Sequence, residues 1–252
     1  DMINIDLNGK KGIVFGVANH RSIAWAISQK LLDAGAEVTF AYQNERFKSG
    51  VEKLTEDYSN ASIEECDVSS DDSITTLFSN LKTKYQNIDF LVHSIAFAPR
   101  EDLAGNFSET SRESFNIALE ISSFSLISLV NNATKLMKNG GSILALTFQA
   151  SQFVYPGYNV MGVAKAALEN EVKQLAAEYG SQEIRVNALS PGPMDTLAAR
   201  GIHGFIDMKK IHAENITHDE VGNAALFLCS DLSTGITGTI LPVDAGYHIM
   251  AV

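Results

Sequence analysis

The stretch Gly12-Ile13-Val14-Phe15-Gly16-Val17-Ala18-Asn19-His20-Arg21-Ser22-Ile23-Ala24 decides the fold. An apolar run of strand length ends at a glycine, and an amphipathic run of helical length begins at Ser22. The same alternation continues outward to the far end of the chain. Strands are expected at 12–15, 37–41, 62–65, 90–94, 142–146, 185–188 and 239–243, and helices at 22–34, 44–58, 71–85, 112–137, 158–179 and 218–228. Such alternation predicts an α/β fold, a single doubly wound Rossmann-type domain whose seven-stranded parallel sheet is covered on both faces. No repeat, low-complexity tract or Pro/Ser-rich linker divides residues 1–252. One segment breaks the rhythm. From Leu197 to Asn215 the chain mixes Phe205, Ile206, Met208 and Ile211 with polar residues, which predicts a helical covering lid, with a mobile loop as the alternative.

Composition narrows the function classes. The 252 residues carry 19 Lys plus Arg against 30 Asp plus Glu, a formal charge of −11 that disfavours a broad grip on nucleic acid. No uninterrupted apolar run reaches the roughly 18 residues that a bilayer span needs. The opening Asp1-Met2-Ile3-Asn4-Ile5-Asp6 lacks the basic and then apolar order of a secretion signal. With only Cys66 and Cys229 there is no disulfide framework, so a cytoplasmic protein is expected. His203, His212 and His218 have no metal-type spacing, and no Gly-x-Ser-x-Gly elbow marks a serine hydrolase.

The turn after the first strand suits an anion. Gly16 permits a tight turn, and Ser22 can cap a helix whose free N–H groups face a pyrophosphate. The three-glycine dinucleotide fingerprint is absent, and a plain strand-to-helix connection is the alternative. At the end of the second strand, where dinucleotide folds read the adenosine ribose, stands the neutral Gln43, which favours NADH over NADPH. Asp67 can accept from an adenine amino group, with Val68 packing on the ring; a helix-capping acid is the alternative for Asp67. The fourth strand ends at His93-Ser94-Ile95-Ala96, small enough for a cofactor ribose to approach.

Tyr155-Pro156-Gly157-Tyr158 opens a further helix that carries Lys165. Seven residues are about 700° of helix, so Tyr158 and Lys165 share a face to within ~20°, with Cα atoms ~10.5 Å apart along the axis. Lys165 is the only charged residue from Tyr158 to Leu168. An ammonium in so apolar a stretch needs a specific partner, and a nicotinamide ribose is one candidate.

Taken together, these motifs resemble the short-chain dehydrogenase/reductase superfamily and, within it, the bacterial enoyl-acyl-carrier-protein reductases. The resemblance rests on Gly16 with Ser22-Ile23-Ala24, Cys66-Asp67-Val68, His93 to Pro99, Tyr158 to Gly162 with Lys165, Arg185 to Ala188, Gly192-Pro193 with Thr196 to Ala199, Phe227 to Asp231 and Val243 to Gly246. Carbonyl-reducing relatives place Tyr four residues before the Lys and Ser thirteen before that Tyr; here those positions are Met161 and Phe148. The resemblance implies that Tyr158 donates to an enolate oxygen and that Lys165 holds the cofactor ribose. It further implies adenosine contacts from Gln43, Asp67 and Val68, pyrophosphate contacts from Gly16, Ser22, Ile23 and Thr196, and nicotinamide contacts from Met194, Ser94 and Ala96. Phe148, Ala199, Phe205 and Met208 would bind substrate. An acyl-carrier-protein-linked enoyl substrate, NADH and a homotetramer are the implied partners, with no metal. Arg200, Lys209 and Lys210, with Asp207 among them, can offer an acidic carrier a basic patch; three solvated surface charges are the alternative.

Three departures from the family pattern bear on activity. Phe148 replaces a tyrosine of close relatives, Ala96 replaces a glycine, and the segment between His212 and His218 is short. They keep two alternatives open: a reductase of other enoyl or carbonyl substrates, and a catalytically inactive NAD-binding regulator.

Overall fold

Within β1 (Lys11–Phe15), Ile13 and Phe15 enter one apolar layer and Val14 the other. This is the period-two alternation of a strand buried on both faces. The computed structural model describes residues 5–194 and 216–250. Its strands β2 (Glu37–Tyr42), β3 (Ala61–Glu65), β4 (Phe90–His93), β5 (Gly141–Leu146), β6 (Ile184–Pro191) and β7 (Ile240–Val243) join β1 in one parallel sheet, ordered β3-β2-β1-β4-β5-β6-β7. The helices are α1 (Ile23–Asp33), α2 (Glu45–Thr55), α3 (Asp71–Tyr85), α4 (Arg100–Ala104), α5 (Arg112–Leu119), α6 (Ser125–Ala133), α7 (Val160–Tyr179) and α8 (His218–Cys229). Leu77 of α3, Leu126 of α6 and Val172 of α7 cover one face of the sheet. Ile27 of α1, Val51 of α2 and Val221 of α8 cover the other. The expected doubly wound sheet is therefore present; the lid expected at 197–215 lies outside the described residues.

Strand order reverses between β1 and β4: β1 pairs with β2 on one side and with β4 on the other, so a crevice opens at the carboxyl ends of β1 and β4. Several elements depart from the expected bounds. The helix expected at 112–137 contains a π segment at Glu120–Phe124 between α5 and α6 and ends in a 3-10 turn at Thr134–Leu136. This combined span, Arg112–Leu136, is the one stretch among the described residues long and apolar enough to cross a membrane. Leu126, Leu129, Val130 and Ala133 are nevertheless buried against the sheet. The short α4 had no strong periodic signal and was not expected. The helix that carries Lys165 starts at Val160, two residues later than expected, for a reason that belongs to the site.

Candidate active site

The turn after β1 is shaped by one missing methyl group. Gly16 has φ +99°, and a Cβ there would lie 1.8 Å from the Ser94 carbonyl oxygen at the end of β4. Only glycine accepts both the dihedral and the approach. The same joint is closed by a hydrogen bond from Ser94 N–H to the Phe15 carbonyl at 3.2 Å. Ser22 occupies the N-cap position of α1 but does not cap it. Its Oγ instead accepts from the backbone N–H groups of Ala18 and Asn19, each at 3.0 Å. The hydroxyl thus braces the turn and leaves the helix's first N–H groups to a ligand.

Gln43 is exposed just beyond β2. Asp67 is not the cap of α3: Ser70 is, accepting from Ser73 N–H at 3.2 Å. The Asp67 carboxylate accepts from Ser69 N–H and Oγ–H at 3.0 and 2.8 Å, forming a small turn at the strand end. Val68 is half-buried against the core, and Ile23 packs against the opposite apolar layer. Ser94 is half-buried and Ala96 exposed at the end of β4. Met194 is buried at the end of the segment after β6. Thr196, Ala199, Phe205 and Met208 lie outside the described residues.

Tyr158 precedes its helix because Asn159 stops the helix from starting earlier. Asn159 has φ 40° and ψ −121°, a conformation costly for a residue with a side chain. Its Nδ2 donates to the carbonyls of Asp102 and Gly105, at 3.0 and 2.9 Å, and so ties this turn to α4. The Tyr158 ring packs against the small cluster of Ala98, Ala118, Val160 and Met161. Its other face meets Phe148, with ring centroids 5.2 Å apart, and Phe148 in turn meets Tyr155 at 4.9 Å. Burial raises the Tyr158 pKa, so the phenol stays protonated.

Lys165 is 4% exposed, and its Nζ donates to the Leu146 carbonyl at 2.8 Å. Burial brings its pKa down to about 8, partly offset by Glu169. An ammonium has three N–H donors, so two remain for other acceptors. Beneath the site, fully buried His93 donates Nε2–H to Ser125 Oγ at 2.8 Å. The direction follows because the Ser125 hydroxyl donates to the Ile121 carbonyl at 2.6 Å. Burial, with the Lys165 charge adding to it, holds His93 neutral with a pKa of about 3.

The residues present fit a dinucleotide. Gly16 leaves a cradle that a Cβ would fill, α1 presents an uncapped first turn, and Lys165 has free donors at the carboxyl ends of the strands. Two polar residues were not singled out from the sequence. Ser122, in the π segment, accepts from Phe97 N–H and donates to Phe97 C=O, both at 2.9 Å, and so clamps the loop after Ala96. Glu169, 7% exposed, accepts from Thr147 Oγ1 at 2.8 Å. Its spacing of four from Lys165 was the available signal.

This is the architecture of short-chain dehydrogenases/reductases, nucleotide-dependent oxidoreductases built on a doubly wound sheet. A family model described as "Enoyl-(Acyl carrier protein) reductase" matches residues 16–248. The chain belongs to the enoyl-acyl-carrier-protein reductase family. It is 48% identical over 250 residues to the Enoyl-[acyl-carrier-protein] reductase [NADH] FabI of Rickettsia prowazekii, covering 97% of this chain and 96% of the relative. Against the FabI of a Nostoc species, identity is 46% over 256 residues, with 98% and 99% covered. Among solved structures, the Bacillus cereus enoyl-acyl carrier protein reductase with NADP+ and an indole naphthyridinone superposes with a TM-score of 0.95 at 44% identity, covering 98% of this chain and 99% of that one. The Anaplasma phagocytophilum reductase in complex with NAD superposes with a TM-score of 0.94 at 42% identity, covering 100% and 99%.

Proposed function

We propose that the chain uses NADH to reduce the trans-2 double bond of enoyl-acyl-carrier-protein thioesters in type II fatty acid synthesis. The observation that carries this reading is a protonated Tyr158 phenol seven residues before a buried Lys165, with Met161 and Phe148 at the positions carbonyl reductases use. Reduction of a conjugated thioester gathers charge on the thioester oxygen, so a hydrogen-bond donor is required there.

When bound, the nicotinamide supplies the hydride that goes to the β-carbon. Tyr158 donates its O–H to the thioester oxygen as charge develops, and Phe148 and the 98/118/160/161 cluster hold its ring in place. Lys165 keeps one N–H on Leu146 and offers the other two to the nicotinamide ribose. Gln43, Asp67 and Val68 hold the adenosine, and the neutral Gln43 offers no charge to a 2′-phosphate. Gly16, Ser22, Ile23 and Thr196 surround the pyrophosphate, with Ser22 acting through the turn it braces. Ser94, Ala96 and Met194 flank the nicotinamide. Phe148, Ala199, Phe205 and Met208 line the acyl site, and residues 197–215 form the substrate loop of a single domain.

Exposed Phe115, Phe124 and Ile127 on the Arg112–Leu136 span support pairing with another copy within a cytoplasmic homotetramer. Sedimentation equilibrium tests the assembly; a monomer at micromolar concentration refutes it. The activity is tested by the loss of reduced-nicotinamide absorbance with a trans-2-enoyl thioester, beside a β-ketoacyl thioester, with NADH and NADPH in parallel. Turnover of the enoyl substrate with NADH is expected. Turnover of the ketone alone, or binding without turnover, overturns the proposal.

A further inference from the structure

Lys165 and Glu169 lie one helical turn apart on α7, both buried, at 4% and 7% exposure. They attach to adjacent residues of one backbone. The ammonium donates to the Leu146 carbonyl at the end of β5, and the carboxylate accepts from the hydroxyl of the next residue, Thr147. Thr147 is itself fixed by donating its backbone N–H to the Leu189 carbonyl on the β6 side at 2.8 Å. A buried carboxylate with one neutral donor is a costly feature to retain for packing alone. Its charge acts on whatever cation shares the low-dielectric interior, and that cation is Lys165.

We infer that Glu169 is a positioning residue for the reductase site, a buried counter-charge that keeps Lys165 an ammonium and so preserves both of its free N–H donors for the cofactor ribose. The inference rests on the reading that Lys165 holds that ribose. As an amine, Lys165 has two N–H groups; with one on Leu146, a single donor is left. Few other groups bear on its charge among the described residues. From β4, His93 faces it but is neutral. The Tyr158 phenol at the head of α7 is protonated. β5 contributes the Leu146 carbonyl and the residue after it the Thr147 hydroxyl, and no charged group of β6 or the π segment acts on it. Among the described residues Glu169 is therefore the one counter-charge that acts on it, and it acts against the effect of burial.

Glu169→Gln keeps an acceptor for Thr147 and deletes the charge. NADH affinity of the full-length protein is to be titrated between pH 6 and 9 by nucleotide fluorescence, for the wild type, E169Q, T147V and K165M. A drop of one unit in the lysine's pKa weakens E169Q binding about fivefold at pH 8 and nearly tenfold at pH 9, with parity at pH 6. T147V, which loosens the carboxylate without removing it, moves the alkaline limb the same way by less. An E169Q profile identical to wild type, or one weakened equally at every pH, overturns the inference, the second outcome marking a merely structural role. If E169Q does not fold, an unmoved limb in T147V overturns it instead. K165M binding NADH like wild type at every pH would instead refute the role given to Lys165 itself.

Discussion

Because Lys165 titrates near 8 rather than at the 10.5 of a free lysine, the unfolded chain binds more protons between those values. Stability therefore rises with pH across that window, and below pH 8 the protein bears the full cost of the buried cation. That cost is about 3 kcal/mol. Lys165→Met should stabilise the unliganded protein by up to that amount at pH 7, as measured by chemical denaturation, while weakening NADH binding. No gain at pH 7 would show that the cation is not destabilising. Such an exchange of stability for function is common at sites built around a strained or desolvated group. The role proposed for Tyr158 is the converse, since its phenol is held protonated and would matter chiefly when charge develops. Tyr158→Phe should lower kcat on an enoyl thioester by about 10²–10³, the range for loss of one oxyanion donor. It should leave KM nearly unchanged, and undiminished kcat would contradict the assigned role. The sequence spacing predicts one helical face for both residues, whereas Tyr158 lies in the turn before the helix. It did not reveal that Asn159 delays the helix, because the carbonyls that hold Asn159 belong to Asp102 and Gly105, more than fifty residues earlier in the chain.

The π segment at Glu120–Phe124 is the element that most changes how the site is supported. Its wider turn presents Ser122 to both backbone groups of Phe97, and π segments often occur at functional sites. Ser122→Ala should cost about 1–3 kcal/mol, because it leaves a donor and an acceptor unpaired together. It should also weaken NADH binding, because the proposed nicotinamide contacts Ser94 and Ala96 lie on the loop that it clamps. Denaturation and nucleotide titration on one preparation measure both, and a change in stability alone would detach the clamp from the cofactor. Most elements were legible because burial writes its period directly into residues such as Ile13, Val14 and Phe15. A π turn has no comparable signature, since Phe115, Ile121 and Phe124 read equally well as one continuous helix. The capping role expected of Ser22 is not realised for a related reason. Its residue type suits a cap, but the competing N–H groups of Ala18 and Asn19 become available only once Gly16 has folded the turn back.

Across the whole molecule, acid sensitivity is built into the layer under the site. His93 has a pKa of about 3 in the fold against 6.5 when free, so between those values the unfolded chain takes up the extra proton. Stability is complete above pH 6.5 and is lost as pH falls through that window. From pH 7 to pH 5 the expected loss is about 2 kcal/mol. Urea denaturation across that range checks it, and His93→Gln, which cannot titrate, should flatten the curve. An equally steep curve in H93Q would move the origin of the effect elsewhere. The same interior explains why Cys66 and Cys229 matter little as nucleophiles: burial pushes both thiols up to about 12, leaving almost no thiolate at neutral pH. The joint between β1 and β4 has a different kind of consequence. Every single-base change that alters a glycine codon to that of another amino acid introduces a side chain with a Cβ, and at Gly16 that atom would sit 1.8 Å from the Ser94 carbonyl. In the genetics of this enzyme, that codon is free to drift only among its synonyms.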